Sequence, residues 1–234
     1  MKKIAIVPAR GGSKRIPKKN IKSFAGKPMI AHSILAAMKS ELFDVVMVST
    51  DDEEIAKVSK QYGAQIPFLR SAENSDDFSG TGDVMHEVLS EYERKGEGFD
   101  IACCIYATAP LITVTRLQEA LKLLETNDFD ATLPLGRYAS PIWRSYHLTN
   151  SNGIDWNFPD FEAKRSQDLK QTFFDAGQFY WFYPNNLEYL ENKNSFGKKK
   201  GGIILEDYEV QDIDEPTDWD MAELKYKYLK SRVH

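Results

Sequence analysis

Short apolar runs alternate with stretches of helical periodicity over most of this chain, and this alternation restricts its fold more than any other feature. The runs with the length and apolar character of buried strands are 4–7, 45–49, 101–106, 131–135 and 179–183. The stretches with helical spacing of apolar residues are 28–42, 53–62, 84–94, 115–125 and 216–229. Strands joined by helices of this length form right-handed crossovers. The pattern predicts an α/β protein of three layers, α/β/α, with a mainly parallel sheet.

The alternation stops between residues 137 and 172. This stretch contains two prolines and six aromatic side chains, which makes it too aromatic for a flexible linker and too irregular for another crossover. We interpret 137–172 as an inserted lobe, within one domain spanning 1–234, that packs against a second copy of the chain. The alternative is a long surface excursion that folds back on its own domain.

Bulk composition limits where the protein works and what it binds. The chain has 234 residues and a formal net charge of −5, which argues against a general nucleic-acid-binding protein. Cys103 and Cys104 are neighbours in an apolar run, so their side chains point to opposite faces of a strand and form no mutual disulfide. The first apolar stretch ends at Pro8 and is too short for a membrane span or a signal-peptide core. We expect a cytoplasmic protein with reduced cysteines and no membrane partner.

The first apolar run leads into a loop of strongly positive charge. The first forty residues contain ten Lys or Arg and no Asp or Glu. Gly11 and Gly12 let the backbone approach a ligand closely, and Arg10, Lys14 and Arg15 add positive charge around them. The loop matches neither the Walker A motif nor the dinucleotide fingerprint. It therefore predicts a polyanion site of another kind, and the alternative is a solvated basic turn.

The opposite charge gathers near the C-terminus. Residues 201–224 contain nine Asp or Glu and no Lys or Arg. Asp212 and Asp214 are two positions apart, a spacing that places both carboxylates on one face of a strand, where they can share a hard divalent cation. A phosphate-binding loop together with a carboxylate pair favours chemistry on a nucleotide with a metal ion. A solvated acidic edge strand is the alternative.

Five segments carry a resemblance to a known family. Residues 6–20 read IVPARGGSKRIPKKN, and residues 48–52 read VSTDD. The other three are FLRSAENSDD at 68–77, RSQDL at 165–169 and VQDID at 210–214. These segments are similar to the signatures of the CMP-sialic acid synthetases, the cytidylyltransferases that activate acidic nine-carbon sugars. The resemblance covers nearly the whole chain and implies a nucleotide-diphospho-sugar-transferase-like (Rossmann-like) fold.

The resemblance implies a reaction in which the anomeric hydroxyl of a sugar acid attacks the α-phosphate of CTP and pyrophosphate leaves. Catalysis of this kind depends mostly on positioning and on electrostatic stabilisation. The implied nucleotide-binding residues are Arg10, Gly11, Gly12, Ser13, Lys14, Arg15, Asn20 and Arg70. The implied catalytic residues are Lys14, Arg15, Asp212 and Asp214, with Mg²⁺ held by the two aspartates. The general base stays open between Asp212 and a metal-bound hydroxide.

On the sugar side the resemblance implies four contacts, which are Tyr106, Arg165, Gln178 and Tyr180. The planar fork of Arg165 matches the carboxylate of a sugar acid. In relatives the inserted lobe reaches the partner's sugar site, which implies a homodimer with Arg165 acting in trans.

Two departures from the sialic acid pattern bear on the substrate. Tyr106 stands where the sialic acid enzymes have a glutamine, and residues 176–180 read AGQFY where those enzymes have NGAIY. Both changes resemble the pseudaminic acid branch of the family. An aromatic residue in place of a hydrogen-bonding one suits a less hydroxylated sugar.

We therefore predict an enzyme that makes CMP-pseudaminic acid from CTP and pseudaminic acid and binds no nucleic acid. The nearest alternative is the same reaction on N-acetylneuraminic, legionaminic or 3-deoxy-octulosonic acid. An inactive nucleotide-sensing module is an alternative of a different class, which the intact phosphate loop and aspartate pair disfavour. A nucleic-acid-binding protein that uses the basic N-terminal stretch is a third, which the acidic net charge disfavours.

Overall fold

The computed structural model describes residues 1–75, 80–150, 152–186 and 196–232. Its helices are α1 (Met29–Ser40), α2 (Glu53–Gln61), α3 (Thr81–Arg94), α4 (Val114–Thr126) and α5 (Pro216–Arg232). Its strands are β1 (Lys3–Pro8), β2 (Ser23–Phe24), β3 (Lys27–Pro28), β4 (Val45–Ser49), β5 (Ile101–Ile105), β6 (Ala131–Arg137), β7 (Tyr146–Leu148), β8 (Ile154–Trp156), β9 (Phe173–Asp175), β10 (Phe179–Phe182) and β11 (Lys200–Ile204). Every helix and strand predicted from the alternating pattern is present.

Seven strands form one central sheet. Its order is β11-β6-β10-β5-β1-β4, and β9 pairs with the far end of β6. The parallel pairs are β1 with β4, β1 with β5, and β6 with β11. β10 is antiparallel to both β5 and β6, and β9 is antiparallel to β6. The prediction of a mainly parallel sheet is confirmed, with β10 as an antiparallel strand inside it that the sequence pattern did not distinguish.

Helices cover both faces of this sheet. α1, α2 and α4 pack on one face, in the same core cluster as Cys103. α3 packs on the other face, in the cluster that contains Cys104. Both thiols are fully buried and unpaired, and burial raises the pKa of each. The three-layer prediction and the opposite orientation of the two cysteines are therefore confirmed.

Local capping chemistry sets where the helices begin. The Asp52 carboxylate accepts the backbone N–H groups of Glu54 and Ile55 at 2.7 and 3.0 Å, which caps α2. α3 begins at Thr81, three residues before the predicted start at 84, because Gly80 occupies the cap position and its N–H donates to the Asp83 carboxylate at 2.8 Å.

A smaller core joins the two ends of the chain. Ile16 from the basic loop and Ile213 from the acidic segment are both buried in one cluster with Trp219 of α5. The prediction that Asp212 and Asp214 lie on a strand is wrong. Their segment is an unpaired connection between a short 3-10 helix, Asp207–Glu209, and α5. Packing of Ile213, rather than sheet hydrogen bonding, fixes the position of this segment.

The segment predicted as an inserted lobe leaves the sheet after β6 and returns at β9. Within it β7 and β8 form a two-stranded hairpin, with Tyr146 opposite Trp156. The hairpin side chains of Tyr146, Leu148 and Ile154 are exposed. No helix in the part of the chain that the structure describes is long and apolar enough to cross a lipid bilayer.

Candidate active site

A cavity of about 420 Å³ opens where β1 and β5 end. Pro8, the last residue of β1, and Tyr106, which follows β5, both line it. β1 lies between β4 and β5 in the sheet, and α1 and α3 cover opposite faces of it. The cavity therefore lies at the carboxyl ends of the strands, where the chain switches from one side of β1 to the other. Open α/β sheets bind ligands at this position.

The basic loop after β1 forms one wall of the cavity. The lining residues from this loop are Arg10, Gly12, Ser13, Lys14, Arg15, Ile16, Lys19 and Asn20. Asn20 is buried, and its side-chain amide donates to the Arg10 carbonyl at 2.9 Å. This hydrogen bond closes the loop, so its cations and the Gly12 backbone are presented to the cavity together.

A carboxylate from the other end of the chain enters the same cavity. One oxygen of Asp214 lies 2.9 Å from the Arg15 guanidinium and 3.6 Å from the Lys19 ammonium. Lys19 also donates to the backbone carbonyl of Ile213 at 2.6 Å. The structure thus brings the N-terminal cations and a C-terminal aspartate into direct contact.

Arg70 supplies a further cation from deep in the cavity wall. Its backbone N–H donates to the Thr50 carbonyl at 2.9 Å, and its guanidinium Nε donates to the Ser49 hydroxyl at 3.0 Å. Burial lowers the pKa of Arg70, and the carboxylates of Asp51 and Glu87 oppose that shift. Because a guanidinium keeps its proton in proteins, Arg70 is a fixed positive charge in the site.

The two glycines of the basic loop have different surroundings. The Gly11 N–H donates to the Asp51 carboxylate at 3.1 Å, and a Cβ added to Gly11 would lie 2.7 Å from an Asp52 carboxylate oxygen. A Cβ added to Gly12 would meet nothing within 4 Å. Gly11 therefore anchors the loop to the turn after β4, whereas Gly12 faces the cavity.

Half-buried Tyr106 lines the opposite side of the site, and buried Tyr180 lies behind it. The Tyr106 hydroxyl lies 3.0 Å from the Thr81 hydroxyl, and both residues line the cavity. The Tyr180 ring packs edge-on against Tyr106, behind the cavity wall, with ring centroids 5.5 Å apart. Burial raises the pKa of Tyr106 and of Tyr180, so both phenols are protonated at neutral pH.

Comparison with known proteins assigns this arrangement to a family. The family model described as cytidylyltransferase matches residues 4–230. The chain belongs to the cytidylyltransferase family.

Individual relatives of this family cover nearly the whole chain. A pseudaminic acid cytidylyltransferase of Campylobacter jejuni is 37% identical over 227 residues, 97% of each chain. An N-acylneuraminate cytidylyltransferase of Danio rerio is 35% identical over 229 residues, 96% of this chain and 51% of its own. The solved structure of a CMP:2-keto-3-deoxy-manno-octonic acid synthetase complexed with CTP is 17% identical, has a TM-score of 0.70 and covers 99% of this chain and 100% of its own. That last likeness shows a shared fold, and the resemblance read from the five sequence segments is confirmed.

Some residues expected in the site lie elsewhere in this cytidylyltransferase. Arg165 is on the inserted segment, 71% exposed, and its guanidinium donates to Asp168 at 2.8 Å. Gln178 is buried, and its amide donates to the Glu209 carbonyl. Asp212 is exposed and does not line the cavity, in contrast to Asp214. Sugar contacts by Arg165, Gln178 and Tyr180 stay predictions, and residues 76–77 of the nucleotide-side motif lie outside the described residues.

One supporting residue was missed from the sequence. The Glu87 carboxylate of α3 accepts the backbone N–H of Ser71 at 2.7 Å and the side-chain amide of Asn74 at 2.8 Å. These bonds hold the loop that follows Arg70. The sequence signal that could have identified Glu87 is its place beside the buried face of an amphipathic helix, next to Val84 and Val88.

Asp214, the carboxylate that lines the cavity, has the chemistry of a ligand for a hard divalent cation. Among residues 1–75, 80–150, 152–186 and 196–232, no group of three or more His, Cys, Asp or Glu is placed to hold a metal ion. Mg²⁺ commonly binds through one or two carboxylates, with substrate phosphates completing its coordination. Asp214, beside the cations of the basic loop, fits that mode of binding.

Proposed function

We propose that this cytidylyltransferase transfers the CMP group of CTP to the anomeric hydroxyl of pseudaminic acid, releasing pyrophosphate. The observation that carries the reaction is the cavity in which Arg15 and Lys19 meet Asp214. The choice of sugar is supported by the 37% identity to the Campylobacter enzyme over 97% of both chains.

The basic loop has two electrostatic tasks in this reaction. Arg10, Lys14 and Arg15 offset the charge of the triphosphate and the charge that grows on pyrophosphate as it leaves. Because the sugar acid is also an anion, the same cations reduce repulsion between the two substrates. The loop is anchored by Asn20 and by the contact of Gly11 with Asp51, so these charges are in place before the substrates bind.

Asp214 is the proposed ligand for Mg²⁺, with Asp212 as the second carboxylate. When bound, the ion supplies positive charge at the phosphates and acidifies a coordinated hydroxyl. Asp214 is assigned first because it lines the cavity, whereas Asp212 projects to solvent. Arg15 and Lys19 hold the Asp214 carboxylate at the cavity edge, which is where the triphosphate is proposed to lie.

We also propose a cytoplasmic homodimer. The exposed Tyr146, Leu148 and Ile154 of the hairpin are suited to a protein interface, and the buried reduced cysteines suit the cytoplasm. Arg165 lies on the same inserted segment and does not line the cavity of its own chain, so the proposal places it at the partner's sugar site. Light scattering after size exclusion is expected to give twice the mass of the chain, and a monomer would reject this part of the proposal.

A panel of sugar acids tests the reaction and its substrate. Pseudaminic, N-acetylneuraminic, legionaminic and 3-deoxy-octulosonic acids are each incubated with CTP and Mg²⁺, and pyrophosphate release is measured. The highest kcat/KM is expected for pseudaminic acid. A higher value for another sugar would replace the substrate, and CTP binding without turnover of any sugar would indicate an inactive nucleotide-sensing module.

A further inference from the structure

A carboxylate outside the predicted site residues lies at the start of a chain of contacts that leads to the cavity. Asp175 is the last residue of β9 and is exposed. One of its oxygens accepts the Gly177 N–H at 2.9 Å, and the other accepts the Tyr180 hydroxyl at 2.9 Å. The first bond shapes the turn into β10, where Gly177 has a φ of +61°. The second fixes a buried phenol.

Tyr180 is held by its ring as well as by its hydroxyl. It is 8% exposed and stacks on Phe196 with ring centroids 4.7 Å apart. Its other neighbour is Tyr106, which it meets edge-on at 5.5 Å. A tyrosine ring that is packed on both sides and hydrogen-bonded at its hydroxyl has little freedom to move. The hydrogen bond to Asp175 therefore determines where the Tyr180 ring contacts Tyr106.

Tyr106 is fixed at its backbone and presents its side chain to the cavity. Its N–H donates to the Gln178 carbonyl at 2.8 Å, and its own carbonyl accepts the Ser33 hydroxyl at 2.8 Å. The remaining freedom is rotation of the ring, which is limited by Tyr180 on one side and by the Thr81 hydroxyl at 3.0 Å on the other. The position of this part of the cavity wall therefore depends on Tyr180.

We propose that Asp175 is a positioning residue for the sugar end of the cavity, acting through Tyr180 on the ring of Tyr106. This inference rests on the proposed function and deepens it by naming the group that sets the shape of the sugar pocket. A carboxylate suits the position because it accepts from two donors at once and donates to neither. Its charge stays outside the cavity, away from the carboxylate of the substrate.

Three substitutions separate this role from a structural one. Asp175→Ala removes both hydrogen bonds. Tyr180→Phe removes only the phenol and keeps the ring. Asp175→Asn keeps an oxygen for the Gly177 N–H and can still bond the Tyr180 hydroxyl through its amide. Asp220→Ala is the matched control, because Asp220 is an exposed aspartate that does not line the cavity.

The experiment measures kcat and both KM values for the full-length enzyme, with thermal unfolding in parallel. Asp175→Ala and Tyr180→Phe are each expected to raise the sugar KM about five- to tenfold, the effect of one lost hydrogen bond. The CTP KM is expected to stay within about twofold. Asp175→Asn should recover most of the sugar affinity. The double variant, Asp175→Ala with Tyr180→Phe, should have a sugar KM no higher than that of the more impaired single variant, because the two residues act as a unit.

Three results would overturn the inference. An unchanged sugar KM in both Asp175→Ala and Tyr180→Phe would show that the contact positions nothing. Equal increases in the sugar and CTP KM would show a general structural role. If the wild type does not turn over pseudaminic acid, the variants are measured with the sugar acid that it does turn over. A wrong substrate assignment is therefore detected with the wild-type enzyme, separately from the effect of the variants. Absence of turnover with every sugar acid would reject the proposed function and this inference together.

Discussion

Replacing Asp214 with asparagine tests the central contact of the proposed active site, because it removes one charge and keeps the size of the side chain. The change leaves the backbone N–H of residue 214 bonded to Asp218 at 3.0 Å. It weakens the contacts with Arg15 at 2.9 Å and Lys19 at 3.6 Å. Ion pairs as exposed as these are worth about 0.2–1 kcal/mol each. The expected loss of stability is therefore about 1 kcal/mol, or a fall in Tm of about 2–4 °C for a chain of this size.

The expected loss of activity is far larger. Removing a single preorganised electrostatic group from an active site costs about 10²- to 10³-fold in kcat, roughly 3–4 kcal/mol of transition-state stabilisation. The CTP KM should stay the same or fall, since Arg15 and Lys19 lose a competing carboxylate and become fully available to the triphosphate. Initial rates of pyrophosphate release at varied CTP, with melting followed by circular dichroism, measure both quantities on one preparation.

Asp220→Asn is the matched control for this experiment. Asp220 is an exposed aspartate of α5, close in sequence to Asp214, and it does not line the cavity. The control is expected to have wild-type kcat and Tm. Asp214→Asn with a kcat within about threefold of wild type would refute the assignment, because so small a change is below the effect of a lost active-site charge. A collapse of Tm together with activity would instead show that Asp214 is structural.

Gly11, Arg15 and His32 offer three further tests of the structure. Gly11→Ala should raise the CTP KM and lower stability by about 1 kcal/mol, because its Cβ would lie 2.7 Å from the carboxylate that caps α2. Gly12→Ala is the control and should fold normally, since a Cβ there would meet nothing within 4 Å. Equal effects of the two substitutions on CTP kinetics and urea unfolding would contradict this prediction. Arg15→Ala should raise the CTP KM about tenfold and change the sugar KM little, and the reverse order of effects would exclude Arg15 from the nucleotide site. Burial lowers the pKa of His32 in the folded state. The contribution of neutral His32 to stability is therefore complete above the unfolded pKa of about 6.5 and is lost as the pH falls below that value. The His32 ring lies 2.9 Å from the Phe24 carbonyl, and His32→Gln keeps a donor for that carbonyl, so it should remove this loss. Equal shifts of the urea midpoint between pH 7.5 and 5.5 in the wild type and the variant would disprove the prediction.

Some elements are readable from sequence because their cause is local. β1, β4 and β5 are short apolar runs buried along most or all of their length, and this character needs no partner to be recognised. α2 begins after Asp52 because a side chain two residues away satisfies its first N–H groups. The basic loop is likewise visible, since glycines and cations follow directly on a strand.

Other elements have causes that lie far away in the chain. β11 has no strand signature because Gly201 and Gly202 weaken strand propensity. Yet a Cβ on Gly201 would lie 2.6 Å from Phe129, and one on Gly202 would lie 2.4 Å from Leu135. The packing of Phe129 and Leu135 therefore requires glycine at positions 201 and 202, and these glycines are the reason that the sequence pattern does not predict the strand. β10 shows the same limit, because its antiparallel direction is set by pairing with β5 and β6.

The amino-acid sequence by itself determined the alternation of five strands with five helices, the basic loop and the acidic segment, since each rests on residues that are close together in the chain. Tertiary structure alone decided that Asp214, and not Asp212, enters the cavity, and that Asp175 reaches Tyr106 through Tyr180. Burial of Ile16 and Ile213 in one small core selects the first of these, and the turn at Gly177 together with the packing of the two rings selects the second. Contacts between distant segments depend on how whole elements pack, and no local pattern of residues encodes that packing.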